Sequence, residues 1–465
     1  MKNRVLTYLL TVCCLLTPFT SLAHAESPSF ADSLYENNEI ANESRVTFAY
    51  VKEEQKTREN TPAIGCKAAY LADPVSGKVF YEKNAHEKMY PASTTKILTA
   101  LLVLENCNVN DTVTVSKNAI AMVPAGYSTA GMEAGESFSV KVLLQALLIP
   151  SANEAAYALA EHVSGSVEAF AEACNKRAKE LGCETLHFVN PNGVHDQNHY
   201  CSAYDLYLIA KECQKHKEFN KIVKMKEFTV PATRIHKKAD RIYPNTNAML
   251  FPSSSEYYYP YCTGIKTGHT TPAGECLVSA AEKDDLNLIC VVLGGSIKKS
   301  GLNERFSDTK KLMEFVFDNY SYHQIADRKV SLGQAAVENA VSDAPPLELY
   351  IQTDLACVAP NELTADNVKP QLRLAEEIKA PVKSHQVLGT ATYHIDGFVF
   401  TTNVVAGRDI DKIPFWLYNT LVAVVLVFLV LLIAVSVKKR RARRRRAAAR
   451  ARARARAAAR TSYRR

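Results

Sequence analysis

The chain has 465 residues, 47% hydrophobic and 22% charged, which excludes a fibrous or wholly disordered protein and suits two or three folded units. Its net charge of +8 is unevenly placed: 15 Lys and Arg and no acidic residue lie from Lys438 onward, and Lys2 and Arg4 stand at the start. Residues 26–412 hold 39 basic and 48 acidic side chains, a net of −9, which argues against a polyanion-binding face on the folded part.

Lys2 and Arg4, the apolar run 5–16 and Ala23-His24-Ala25 have the three parts of an export signal, with cleavage expected after Ala25. Residues 26–60 are polar and patternless and read as a loosely ordered lead-in. Ten of the 12 cysteines remain after cleavage, since Cys13 and Cys14 leave with the signal. No C-x-x-C occurs and no spacing fits zinc, so neither a metal site nor a disulfide pairing is assigned.

KAAYLAD, the turn DPVSG and KVFYEKN predict a hairpin. Helices are predicted over 94–105, 140–149, 154–163 and 167–181, with Pro150 interrupting the second and third. Ser202 and Asp205 have capping-box spacing at the start of another helix. CTGIKTGHT, CLVSAAE and LNLICVVLGG, separated by short turns, predict an antiparallel meander, and residues 303–319 a closing helix. Strands at both ends with helices between give an α+β class, one antiparallel sheet covered by helices.

Beyond Tyr320 short alternating runs predict a small β-rich second domain over 321–409. Residues 413–437 carry no charge and are long enough to span a bilayer, with Phe415, Trp416 and Tyr418 clustered at one end. The basic segment 438–465 at the other end reads as a disordered cytoplasmic tail that locks the orientation, with no specific nucleic-acid partner expected.

Three short segments carry candidate chemistry: Ser93-Thr94-Thr95-Lys96, Ser151-Ala152-Asn153 and Lys266-Thr267-Gly268. They match the S-x-x-K, S-x-N and K-T-G triplet of penicillin-interacting serine enzymes. A serine at a helix start sits near the positive end of the helix dipole, and a lysine three residues on shares its face. That pairing suits Ser93 as nucleophile and Lys96, its pKa lowered by apolar and cationic neighbours, as general base. Ser151, at a helix–helix corner, is suited to proton relay and Asn153 to holding a substrate amide; either could equally cap the following helix. Lys266 and Thr267 on a strand suit a terminal carboxylate, and Gly268 allows close approach. The backbone N–H groups of Ser93 and His269 are candidates for an oxyanion hole. His195 and His199 are spaced H-x-x-x-H in a loop-like stretch, where packing is the better reading than a metal site.

DPVSGKVFYEKNAHEKMYPASTTK, LLIPSANEAAYALAEHV, FVNPNGVHDQNHYCSAYDL and GIKTGHTTPAGECLVSAAE resemble the serine-type D-alanyl-D-alanine carboxypeptidases, the low-molecular-mass penicillin-binding proteins. The resemblance runs from about Lys67 to Tyr320 and more weakly to about Asp409. It implies a β-lactamase/transpeptidase-like catalytic domain over 61–320, a small β domain and a C-terminal membrane attachment. It also implies acylation of Ser93 by peptidoglycan stem peptides, release of D-alanine without a cofactor, and β-lactams as suicide ligands. Ala152 departs from the Gly or Asp of many relatives, and a full membrane-spanning helix replaces their surface-lying one. A β-lactamase, or an inactive envelope-binding scaffold of the same fold, is the alternative, and the oligomeric state stays open.

Overall fold

The run LNLICVVLGG is apolar almost without a break because both of its faces are buried. In the computed structural model it is the Leu286–Gly295 strand, at the centre of a five-stranded antiparallel sheet. The sheet order is Val79–Lys83, Ala68–Ala72, Leu286–Gly295, Gly274–Lys283 and Cys262–Thr270. Successive side chains of a strand point to opposite faces. Ile289, Val291 and Leu293 therefore join the larger core, and Leu288, Cys290 and Val292 the smaller core that includes Leu312, Met313 and Val316 of the Glu304–Asn319 helix. The structure describes residues 47–51, 60–254, 256–341, 344–364 and 367–462, all within one compact unit. The expected export signal lies outside them.

The hairpin forms as its turn chemistry dictates. Asp73 accepts hydrogen bonds from the Val75 and Ser76 amides and from Ser76 Oγ, and Gly77 supplies the positive φ of 77°. The predicted helix over 94–105 begins differently. Residues Ala92–Thr95 form a 3-10 turn, and the α-helix runs Lys96–Asn106. Thr94 and Thr95 return their hydroxyls to the Pro91 and Ala92 carbonyls, which favours the tighter turn. The α-helix is buried from Lys96 to Val103, so it is a core helix. Val140–Leu148, Asn153–Ser164, Val167–Glu180 and Ala203–Cys213 pack around it, the last with the full Ser202–Asp205 capping box.

Residues 320–412 build a second sheet around their own core of Leu347, Leu349, Tyr393, Phe398 and Val404. Within the lead-in, the described residues Thr47–Tyr50 form a strand antiparallel to Phe398–Thr401 at the edge of this sheet. Its alternating Phe48 and Tyr50 rings meet Phe400 and Phe398, a cross-strand pairing that supplies the reason. Where the two sheets meet, Lys78 is fully buried. Its ammonium donates to Asp396 O at 2.6 Å and Oδ2 at 2.9 Å, and lies 5.0 Å from the Phe398 ring centroid and 5.7 Å from that of Tyr320. Removing one partner of a buried ion pair costs about 3–5 kcal/mol because the other charge is left inside. Lys78→Met should therefore lower the denaturation midpoint by a stability loss of that size, and Lys78→Met with Asp396→Leu should recover most of it.

A single helix among the described residues is long and apolar enough to cross a membrane; it starts at Phe415, and its apolar side chains are exposed. The helix does not stop with the apolar run. It continues through the basic segment to Ser462, where the sequence suggested disorder. Ala and Arg are both strong helix formers, and no Gly or Pro interrupts residues 415–462. All ten cysteines among the described residues are free thiols, most of them buried.

Candidate active site

Ser93 sits where three segments press together. Ala92 takes a positive φ of 49°, unusual for alanine, and turns its carbonyl toward Gly193. A Cβ on Gly193 would lie 1.8 Å from Ala92 O, so the 190–193 loop is tight against the serine's turn. That approach brings Asn192 O within 2.8 Å of Lys96 Nζ. The same amine nitrogen lies 3.0 Å from Ser93 Oγ and 3.0 Å from Asn153 Oδ1. All three partners are neutral oxygens. Burial, with the nearby Lys266 charge adding to it, holds the Lys96 amine well below the ordinary lysine range, and Glu154 opposes the shift only in part.

The second motif lies at the expected corner but not as a cap. Ser151 has φ of 66°, and the N-cap of the Asn153–Ser164 helix is Ala152, with no side-chain hydrogen bond. Asn153 instead spans the site: its Oδ1 faces Lys96 and its Nδ2 donates to Ser128 O at 2.8 Å. Ser151 Oγ is buried and has no hydrogen-bond partner among the described residues. A small buried hydroxyl so placed is free to take up and pass on a proton.

The third motif is on the edge strand Cys262–Thr270, which has a sheet neighbour on one side only. Gly268 is the contact point, and its approach is to the backbone of Ser93 itself. A Cβ there would lie 2.9 Å from both Ser93 N and Pro91 O. Gly268→Ala must therefore displace backbone at the reacting centre, and a shift near 1 Å costs about 100-fold in rate. The clash requires several tenths of an ångström, so we expect a loss of about 10 to 100-fold in kcat/KM, with the thermal midpoint little changed, from parallel kinetic and calorimetric measurements.

Lys266 is buried, donates to Thr267 O at 3.0 Å, and burial together with the Arg305 charge lowers its pKa to about 7. Thr267 Oγ1 is oriented by Thr246 Oγ1 at 2.6 Å. His269 follows on the rim. Its ring is largely exposed and its Nδ1 lies 2.8 Å from Glu275, which also holds Arg305 at 2.7 Å, while Arg305 donates to Gly268 O.

Asn192, Ser128, Thr246, Glu154 and Arg305 thus join the site with no motif of their own. Glu154 accepts the Ala130 amide at 2.7 Å and ties the 128–132 loop to the corner. Asn192 lies within FVNPNGVHDQNHY, whose quoted similarity was the available signal. His199 stacks on Phe188, accepts from Val189 N and meets Thr95 Oγ1 at 2.8 Å. Burial pulls its pKa down to about 3, so the ring is neutral. His195 packs edge-on against Tyr90, and no group of metal-ligating residues forms among the described residues.

A family model described as D-alanyl-D-alanine carboxypeptidase, Peptidase S11, matches residues 55–297. The chain is 33% identical over 368 residues to D-alanyl-D-alanine carboxypeptidase DacF of Bacillus subtilis, covering 78% of this chain and 89% of that protein. It is 32% identical over 346 residues to DacC of Escherichia coli, covering 72% and 82%. The crystal structure of penicillin binding protein 5 from Haemophilus influenzae aligns with a TM-score of 0.56 at 28% identity, over 76% of this chain and 99% of that one.

Proposed function

The chain belongs to the Peptidase S11 family of D-alanyl-D-alanine carboxypeptidases, and from that premise we propose how its own residues carry the reaction. The activity is that of a serine-type peptidase removing the terminal D-alanine of peptidoglycan stem peptides. Neither a scaffold nor a β-lactamase is favoured by these relatives. One observation carries the assignment of roles: a fully buried Lys96 amine 3.0 Å from Ser93 Oγ, with only neutral oxygens as partners.

Neutral Lys96 takes the Ser93 proton as Oγ attacks the carbonyl carbon of the penultimate residue. The backbone N–H groups of Ser93 and His269 receive the oxyanion. The carbon–nitrogen bond then breaks, and the leaving amine takes its proton by way of Ser151 Oγ. Asn153 holds the substrate amide, and protonated Lys266 with Thr267 grips the terminal carboxylate of a peptide lying along the edge strand 262–270, where Gly268 keeps the backbone close to Ser93. Water, activated by the same Lys96, cleaves the acyl ester. A β-lactam follows the first half of this path, but its leaving nitrogen stays tethered and the ester persists.

We further assign residues 61–320 to the catalytic domain and 321–409 to a β-rich accessory domain. The apolar 413–437 segment is the membrane anchor, with the catalytic side extracytoplasmic. The test is direct. The full chain, given a D-Ala-D-Ala pentapeptide, should release D-alanine, and penicillin should add its mass to the tryptic peptide containing Ser93. Absence of D-alanine release from the folded enzyme would refute the assignment.

A further inference from the structure

The longest helix carries the densest charge in the molecule. Of the 20 residues 438–457, 12 are Lys or Arg and the other eight are Ala, with no acidic side chain and every position exposed. Ten of the 12 are Arg. At 100° per residue, Arg450 and Arg454 lie on one side of the helix and Arg452 and Arg456 on the opposite side, so no face is left apolar. A helix without an apolar face cannot lie in a bilayer interface.

The helix also runs on from the apolar segment without a break. At about 1.5 Å per residue, Arg450 stands roughly 18 Å beyond Lys438. Headgroups occupy only about 5–8 Å, and lipid charge is screened within about 8 Å at physiological salt. The basic residues nearest the span can meet anionic lipid; Arg450 to Arg456 are held out of reach. Their charge spacing points elsewhere. Twelve charges over about 30 Å give one per ~2.5 Å, close to the one per ~1.7 Å of duplex nucleic acid. Arginine's planar fork matches phosphate oxygens two at a time.

We infer that the 438–457 helix is a rod that binds the phosphate backbone of nucleic acid on the cytoplasmic side, without reading sequence. This rests on the anchor reading above, not on the catalytic assignment.

The full chain, reconstituted in nanodiscs of zwitterionic lipid, should bind a fluorescent 20-base-pair duplex at 150 mM NaCl. Two unrelated sequences should bind within about threefold of each other, with log affinity falling against log salt at a slope steeper than about −4. Changing Arg450, Arg452, Arg454 and Arg456 to Gln keeps helix propensity and the residues nearest the membrane. It should weaken binding at least tenfold and flatten the slope by about 3 to 4, leaving D-alanine release unchanged.

Three results would overturn the inference: no duplex binding at 150 mM NaCl, an unchanged affinity in the Gln variant, or loss of binding when the same discs contain anionic lipid. Failure of the anchor reading shows separately. In that case trypsin would trim the tail from the outer side of intact cells rather than only in inverted vesicles.

Discussion

Ser93→Ala should abolish turnover, lowering kcat by about 10^6-fold, the size of loss seen when the nucleophile of a serine acyl-enzyme is removed. The neighbouring hydroxyls cannot substitute. Thr94 and Thr95 are both committed to backbone carbonyls, at 2.7 and 2.9 Å. Ser151 Oγ lies on a separate element, at the corner fixed by its positive φ. The variant should fold, because Ser93 Oγ contributes a single hydrogen bond to Lys96. Intact-mass measurement after penicillin treatment should show no adduct, while thermal unfolding stays near that of the parent. An adduct on Thr94 or Ser151, or residual turnover within tenfold of the parent, would remove Ser93 from its role.

Lys96→Met should cost about 10^2 to 10^4-fold in acylation, the usual contribution of a positioned general base. Methionine fills the same apolar volume but leaves Asn153 Oδ1 and Asn192 O without their donor. Lys96→Arg separates base from charge, because guanidinium stays protonated at any working pH. If Lys96 acted only as a positive charge, the arginine variant would keep most of the activity; we expect it to be as slow as the methionine variant.

The pH profile should carry the same signature. On the roles proposed above, activity requires neutral Lys96 and charged Lys266. It should rise with pH through the depressed Lys96 pKa and fall as Lys266 loses its proton above about 7. In the variant Lys266→Arg the acidic limb should stay and the alkaline fall should move up by several pH units, since arginine does not titrate there.

Much of this site was legible because its chemistry is written in short segments. Ser93 and Lys96 are three residues apart, so one turn joins them, and LNLICVVLGG announces its own double burial. Three things escaped the sequence, each for a physical reason. Asn192 and Thr246 reach Lys96 and Thr267 only through folding of distant segments, and no local pattern records a contact of that range. The cap at that corner escaped because Asn153, a site candidate, and Ser151 could each have capped the helix, since caps and site residues use the same short polar side chains; the fold gives the cap to Ala152 and turns the Asn153 amide to the lysine. The 438–465 segment looked disordered by its low complexity, yet alanine and arginine each favour the helix, and the apolar run ahead supplies a nucleus to extend.

The ten unpaired thiols among the described residues bear on the extracytoplasmic placement proposed above. Cross-links would restrict the unfolded chain; on that placement the described cysteines supply none, and close packing holds the native state in their stead. Burial raises the thiol pKa at Cys174, Cys213 and Cys290, so little nucleophilic thiolate is offered to oxidants once folding is complete. On the same placement, the vulnerable interval runs from translocation to the finished core, when those sulfurs are open to mispairing. Rapid closure of that core would then be the protection against covalent scrambling, and a variant that folds slowly would be lost by oxidation before it was lost by instability.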